Sequence, residues 1–380
     1  MEIPAAGDGR HAMKLLLVQD YLRSGGTERQ TVLLANAFAA AGHDTTLLTF
    51  RPGGPLAALV GSAVRRRALQ PLDLRLDWLA PGLGRTAAAE APEVALCMGR
   101  MANCRGSTIQ RAIAAARPGA AAIATLRSGK PPPWLFRCSL RAVRHVIANS
   151  CEARDGELQR SDTAAGKITV IPNAMVFPPT GQGRRETGLR ARFGATAKTF
   201  ILLNVAMFRP EKNQRELIEI ATGLPEHLDW QLWLAGDGPT RSACERLAAS
   251  RPLGTRVRFI GYRRDPTPLY RAADCAVHAS WSESLSNFLI EAQAHGLLAV
   301  ACEARGLREC CIPGRTGWII AGGDRRAFRA TLTRRMSEPT SARTARAADA
   351  RTFARRNFDP ARQVAAHLDL FRSLVPLRAP

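Results

Sequence analysis

The sequence has no apolar run that reaches the about 18 residues a membrane-spanning helix needs. Its first residues, Met1 to His11, lack the apolar core of a secretion signal. The run Leu15-Leu16-Leu17-Val18 is too short for either purpose and reads as a buried strand. CxxC pairs are missing as well. The nine cysteines are odd in number, include the adjacent pair Cys310-Cys311, and show no zinc-ligand spacing. A secreted disulfide framework and a zinc module are therefore excluded, and a reduced cytoplasmic compartment is expected. Acidic residues are also scarce, with 32 Asp+Glu against 54 Lys+Arg and a formal net charge of +22. That balance favours polyanionic partners: nucleic acid, anionic lipid or a phosphorylated substrate. The arginines are spread along the chain, with only Arg65-Arg66-Arg67 forming a small cluster. A nucleic-acid arm is not present, and an Arg- and Ala-rich proteome explains the charge equally well. An anionic lipid surface is the partner that the charge adds to the reading.

What is present is a regular alternation. The chain has 380 residues, 46% hydrophobic and 23% charged, enough for two globular domains at roughly 100–200 residues each. Lys14 to Gln19 reads as a strand, Ser24-Gly25-Gly26-Thr27-Glu28 as a loop, Arg29 to Ala41 as a helix ended by Gly42, and Thr45 to Phe50 as a strand. Further strands are expected at Val94–Cys97, Ala121–Leu126, His145–Ala148 and Ile168–Ile171. A second alternating series begins near Phe200, with strands at Phe200–Val205, Trp230–Ala235, Val257–Ile260, Cys275–Ala279 and Leu298–Cys302. The expected fold class is α/β, with two doubly wound Rossmann-like domains. The expected boundaries are a disordered leader at 1–12, a first domain at 13–178, a linker at 179–198, a second domain at 199–355 and a closing segment at 356–380. The Pro- and Gly-rich stretch from Met175 to Arg185 is the linker signal. Phe358 to Leu374 reads as one last amphipathic helix.

Three features of the second half point to a phosphate-bearing ligand. Phe208-Arg209-Pro210-Glu211-Lys212-Asn213 follows a strand and opens a helix, the edge at which open α/β sheets bind ligands. Two cations beside helix N–H groups suit a diphosphate, although the stretch taken alone is equally a solvated basic loop. In Glu283-Ser284-Leu285-Ser286-Asn287-Phe288-Leu289-Ile290-Glu291, two carboxylates flank a helix start. They suit hydroxyls at the two ends of an extended ligand, with Ser286-Asn287 offering N–H groups between them. Out of context the pair reads as ordinary helix acids. Gly236-Asp237-Gly238-Pro239 reads as a tight turn with Pro239 at the first helical position. Gly25-Gly26, after the first strand, allows close approach of a ligand to the backbone.

In this order these stretches resemble the large family 4 of retaining glycosyltransferases, group 1 type, with the GT-B fold. The matching residues are Gly25-Gly26-Thr27-Glu28, Ile171-Pro172-Asn173, Arg209–Asn213, Leu234–Pro239, Val257–Asp265 and Glu283–Glu291 with Ala292 and Gly296, followed by Gly306, Glu309 and Gly317-Trp318. The resemblance runs from Met13 to about Leu374. It implies that two Rossmann-like domains face a central cleft and that the last helix crosses back to the first domain. It further implies that Arg209 and Lys212 hold a donor diphosphate, Glu291 the ribose and Glu283 the donor sugar. Backbone at Gly261-Tyr262-Arg263 would meet the base, Gly25 and Gly26 would close over the phosphates, and Glu283 through Asn287, with Ser284 and Leu285, would line the donor. There are two departures. The position five before Lys212, an Arg in many members, is Met207, so Arg209 would serve instead. The His expected at the end of a first-domain strand is matched by Arg127, which becomes a candidate contact for an acceptor phosphate or for the transferring sugar.

The activity implied is retaining transfer of a hexose or N-acetylhexosamine from a nucleotide-sugar, UDP by family frequency. The acceptor would be a glycan or lipid-linked molecule in cell-surface polysaccharide or lipopolysaccharide synthesis, on the inner face of the plasma membrane. The catalytic set would be Glu283, Arg209 and Lys212. With no Asp-x-Asp motif, no metal and no cofactor are expected. Two other readings stay open: a sugar-nucleotide 2-epimerase of the same architecture, and a basic nucleic-acid-binding protein. The second lacks any recognisable reading module.

Overall fold

The structure, a computed structural model, describes residues 11–127, 132–161, 163–177 and 186–375. Most of the expected leader (1–10), the last residue of the expected first domain (178) and part of the expected linker (179–185) lie outside the described residues. The chain divides into two units. One holds the described residues up to Ala174 and those from Pro360 onward, and the other is Met175–Asp359.

In the first unit seven strands form one parallel sheet: β1 (Lys14–Gln19), β2 (Asp44–Thr49), β3 (Arg65–Ala68), β4 (Val94–Cys97), β5 (Ala121–Leu126), β6 (His145–Ala148) and β7 (Ile168–Val170). Their order is β3-β2-β1-β4-β5-β6-β7. The run of β1 is continuously apolar because both of its faces are covered. Leu15 and Leu17 enter one core cluster, while Leu16 and Val18 enter another on the opposite face. The small cluster Arg65-Arg66-Arg67 forms most of the exposed edge strand β3, registered on Thr46–Leu48 of β2. An edge strand needs one partner and no buried face, and charged side chains there discourage further pairing. Arg65 bonds Asp44 at 2.8 Å and Arg67 bonds Glu90 at 2.7 Å.

The first helix is Gly26–Ala40, three residues longer at its start than expected. Gly25 is extended and takes the cap position, so the Gly25-Gly26 pair is the helix start, and Glu28 places a carboxylate in the first turn. The expected closing helix, Phe358 to Leu374, is present as Pro360–Leu374, and a separate helix precedes it. One helix, Thr340–Phe358, belongs to the second unit; another, Pro360–Leu374, belongs to the first. Pro360 forces Asp359 into an extended conformation, which separates the two. Val364, Leu368 and Phe371 then lie in the first unit's core, with the Phe371 ring 5.6 Å from that of Phe38.

The second unit has a six-stranded parallel sheet: β8 (Phe200–Val205), β9 (Trp230–Ala235), β10 (Val257–Gly261), β11 (Cys275–His278), β12 (Leu298–Cys302) and β13 (Gly317–Ile320). The order is β10-β9-β8-β11-β12-β13. β13 was not expected as a strand, and Thr187–Arg192, inside the expected linker, is a helix. The strand order reverses between β8 and β11. In such sheets a ligand crevice opens beyond the carboxyl ends of the strands at that reversal. The loops after β8 and β11 therefore frame the candidate site.

Candidate functional site

The loop after β8 is shaped by the turn beside it. Gly236 has φ +141, and a Cβ there would lie 2.0 Å from the Ala206 carbonyl oxygen. Only glycine allows the two loops to approach so closely. Phe208 N–H donates to Asp237 O at 2.9 Å, and the Gln214 side-chain amide donates to Met207 O at 3.0 Å. Pro210–Lys212 is one short 3₁₀ turn, and the helix proper begins at Gln214. In the neighbouring turn, the helix Arg241–Ala249 has Thr240 as its cap, so Pro239 stands before the helix instead of taking its first position.

The loop after β11 is stitched to this one. Ser280 Oγ donates to Glu211 O at 2.8 Å, and Trp281 N–H donates to the same oxygen at 3.1 Å. The stitching brings Lys212 Nζ to 2.5 Å from Glu283 Oε1. A third member, absent from the sequence reading, is His278 at the end of β11. It is 1% exposed, and its Nε2 lies 2.8 Å from the same Glu283 oxygen. His278 Nδ1 faces the Asn204 amide nitrogen at 3.4 Å. An amide nitrogen can only donate, which puts the proton of a neutral ring on Nε2, toward the carboxylate.

Burial alone would push the Glu283 carboxyl up, and it is the largest single influence. The His278 hydrogen bond and the Lys212 charge outweigh it together and hold the group at about 2, below the ordinary 4.5. The stability contributed by the ionised form is thus complete above about pH 4.5 and lost as pH falls through about 2. Calorimetry from pH 5 to pH 2.5 should show the wild type losing stability faster than Glu283→Gln. The difference approaches about 2 kcal/mol over that interval. Parallel acid limbs for the two proteins would contradict the pairing.

Beyond Glu283 the chain enters the helix Asn287–Ala294, capped by Ser286, whose hydroxyl accepts from Leu289 N–H at 3.4 Å. The Ser286 amide, expected to face a phosphate, donates to Cys310 Sγ at 3.4 Å, and that thiol bonds Gly306 O at 3.3 Å. Burial raises the Cys310 thiol well above its usual range, so it is an inert brace. Gly306, at φ +71, lies so close to Ser284 that a Cβ would stand 1.7 Å from the Ser284 carbonyl oxygen. Ser284 and Leu285 are buried beside it. Glu291, one turn into the helix, accepts from the Tyr270 hydroxyl at 2.5 Å, and the Tyr270 ring stacks on His295 with centroids 4.7 Å apart.

Other expected residues are less tightly drawn in. Arg209 is exposed and makes no side-chain hydrogen bond or ion pair among the described residues. Gly261 O accepts from Gly236 N–H at 3.0 Å, so the turn before Tyr262 and Arg263 is joined to that after β9. Tyr262 is exposed. Gly25, Gly26 and Arg127 belong to the first unit. Arg127 Nη1 bonds Asn173 Oδ1 at 2.7 Å, which joins it to the Ile171-Pro172-Asn173 stretch, while its Nε is buried without a partner. Burial pulls its guanidinium down to about 10. His278, Tyr270 and Cys310 carried no sequence signal of their own. A His ending a strand five residues before an expected site Glu was the single available hint.

Two family models match the chain: Glycosyltransferase Family 4 over residues 24–175, and Glycosyl transferases group 1 over residues 186–352. EpsD of Bacillus subtilis (strain 168), a glycosyltransferase by name, is 30% identical over 222 residues, 58% of this chain and 58% of its own. The chain spans about half the length of the curated relatives it matches. Among solved structures, Anabaena Alr3699/HepE in complex with UDP and glucose superposes with a TM-score of 0.80 at 21% identity, covering 95% of this chain and 100% of that one. WaaG, a glycosyltransferase involved in lipopolysaccharide biosynthesis, gives 0.71 at 18% identity, covering 94% and 99%. At these identities the likeness is one of fold. Two consecutive models that together cover the strands, turns and acid–cation loops just described place the chain in the group 1, family 4 glycosyltransferases, with their GT-B fold of two Rossmann-like units.

Proposed function

We propose that the chain is a retaining glycosyltransferase that moves a hexose or N-acetylhexosamine from a UDP-sugar to a glycan or lipid-linked acceptor in cell-surface polysaccharide or lipopolysaccharide synthesis. The observation that carries this reading is the contact of Lys212 with Glu283 at the sheet reversal of the second unit, one loop before a helix start. HepE, of like fold, was solved with UDP and glucose.

Breaking a sugar–phosphate bond builds negative charge on the leaving diphosphate and positive charge on the ring. In this reading Lys212 and Arg209 stabilise the former. Glu283, kept ionised by His278 and Lys212, faces the sugar and accepts from its hydroxyls. Glu291, aimed by Tyr270, takes the ribose hydroxyls. Glu283 through Asn287, with Ser284, Leu285 and Ser286 between, shape the pocket wall, and Gly261-Tyr262-Arg263 meet the base. Arg127 contacts the acceptor or the transferring sugar, which the acceptor KM of Arg127→Ala reads directly. The leaving phosphate takes the acceptor proton, so neither a protein nucleophile nor a metal is required, and activity persists in chelator. No helix among the described residues is long and apolar enough to cross a membrane. The site of action proposed is the cytoplasmic face of the plasma membrane, at its anionic surface.

The test is a thermal-shift panel of nucleoside diphosphates and sugar nucleotides followed by product analysis. At a hundredfold Kd a true donor adds about 2.7 kcal/mol, roughly 5–10 °C for a unit of this size. Silence across the panel would remove the reading. An epimerised sugar without transfer, or a shift with bulk DNA alone, would replace it.

A further inference from the structure

The first unit carries an inverted surface pattern. From Leu72 to Trp78 the chain reads Leu-Asp-Leu-Arg-Leu-Asp-Trp, with apolar residues at every second position. In a soluble loop the apolar set turns inward. Here the acids are gripped instead. Arg51, itself buried, bonds both oxygens of Asp73 at 2.7 and 2.9 Å and Asp77 at 2.7 Å, and Arg23 bonds the other Asp77 oxygen at 2.6 Å. Gln70, 1% exposed, donates to Leu76 O at 2.7 Å and Leu79 O at 2.8 Å. The outward set is left in solvent: Leu72 is 72% exposed, Leu74 52%, Leu76 37% and Trp78 55%. Two buried groups, Arg51 and Gln70, thus anchor the loop while four large apolar side chains stay in water, an arrangement that marks an interaction surface.

The charge around the loop selects the partner. Trp78 lines a hollow of about 510 Å³ together with Arg85 and Arg105. Both arginines are exposed, and neither has an acidic partner among the described residues. Arg75 stands exposed between Leu74 and Leu76. A second copy of this chain would set arginine against arginine. An anionic bilayer offers phosphates to the guanidinium groups and acyl chains to the leucines, and its interface is where a Trp side chain settles.

We infer that the loop Leu72–Trp78, with Arg75, Arg85 and Arg105, docks this protein on an anionic lipid bilayer. The inference gives the membrane part of the proposed function a defined surface and rests on that part alone. Vesicle binding needs neither donor nor acceptor, so it stands or falls apart from the transfer chemistry.

The full chain is sedimented with vesicles of phosphatidylglycerol and phosphatidylcholine, and with phosphatidylcholine alone. Wild type should bind the anionic vesicles at least tenfold more tightly and release them as salt rises. Leu72→Ser/Leu74→Ser/Trp78→Ser should lower that binding tenfold or more. Arg85→Gln/Arg105→Gln should weaken it and flatten its salt dependence. Circular dichroism and transfer to a water-soluble acceptor should be unchanged in both. Quenching of tryptophan fluorescence by brominated acyl chains should drop in Trp78→Phe. Equal binding by wild type and the triple variant overturns the inference. So does a wild-type protein that self-associates, or retains a protein partner, through this loop while ignoring vesicles.

Discussion

Lys212→Ala is expected to lower kcat by about 10²–10³-fold, the usual effect of removing a fixed electrostatic donor from a developing negative charge. Its Nζ lies 2.5 Å from Glu283 Oε1 at the carboxyl edge of the sheet, so the ammonium is positioned before any ligand arrives. The same substitution leaves a buried carboxylate with His278 as its remaining partner in that triad. A fully buried pair broken on one side costs about 3–5 kcal/mol. The Lys212 side chain is 26% exposed, so the expected loss is smaller, about 1–3 kcal/mol. The two effects separate in a double variant. Lys212→Ala/Glu283→Gln removes the stranded charge, so the melting temperature recovers while kcat stays low. A single variant with kcat within threefold of wild type, measured at saturating donor, would show that Lys212 holds a loop and no phosphate.

Gly306→Ala should be the most damaging single methyl in the second unit. The added Cβ would sit 1.7 Å from the Ser284 carbonyl oxygen, at a φ of +71 that side chains rarely adopt. Backbone on both sides of the contact has to move. Strain of this kind costs about 1–3 kcal/mol from φ alone, with the clash added. The moved backbone is the segment between Glu283 and the Ser286 cap, and it is also held by Cys310. Donor KM should therefore rise at least tenfold, and the calorimetric midpoint of the second unit should fall by about 5–10 °C. As a control, Gly314→Ala places its Cβ in open space at φ +74 and should show the backbone strain without the loss of donor affinity. Equal KM for the two variants would mean that the Gly306 contact does not shape the site.

The parts of the fold that were legible from sequence are those in which one local signal decides the outcome. β1 and β8 carry continuous apolar runs, Leu15–Val18 and Phe200–Leu203, because both faces of a parallel sheet are covered, and such runs stand out in any sequence. β3 and β13 were not legible. An edge strand can be three arginines and an alanine, since pairing with one neighbour sets its conformation whatever its side chains are. The helix start was placed at Arg29 because two glycines suggest a loop. Their actual use, as cap and first residue, depends on where the end of β1 delivers the chain.

The candidate site divides in the same way. Residue type and spacing by themselves determined the alternating α/β class, whereas Arg209, Lys212, Glu283 and Glu291, which alone read as a basic loop and ordinary helix acids, were singled out by the resemblance to the family. Tertiary structure alone decided which of these meet. It set Lys212 and His278 on one oxygen of Glu283 and Tyr270 on Glu291, left Arg209 in solvent, and turned the leucines of the 72–78 loop outward. Each of these contacts joins residues on different elements or across a loop. It follows from how strands order and loops close, and no short window of sequence encodes that.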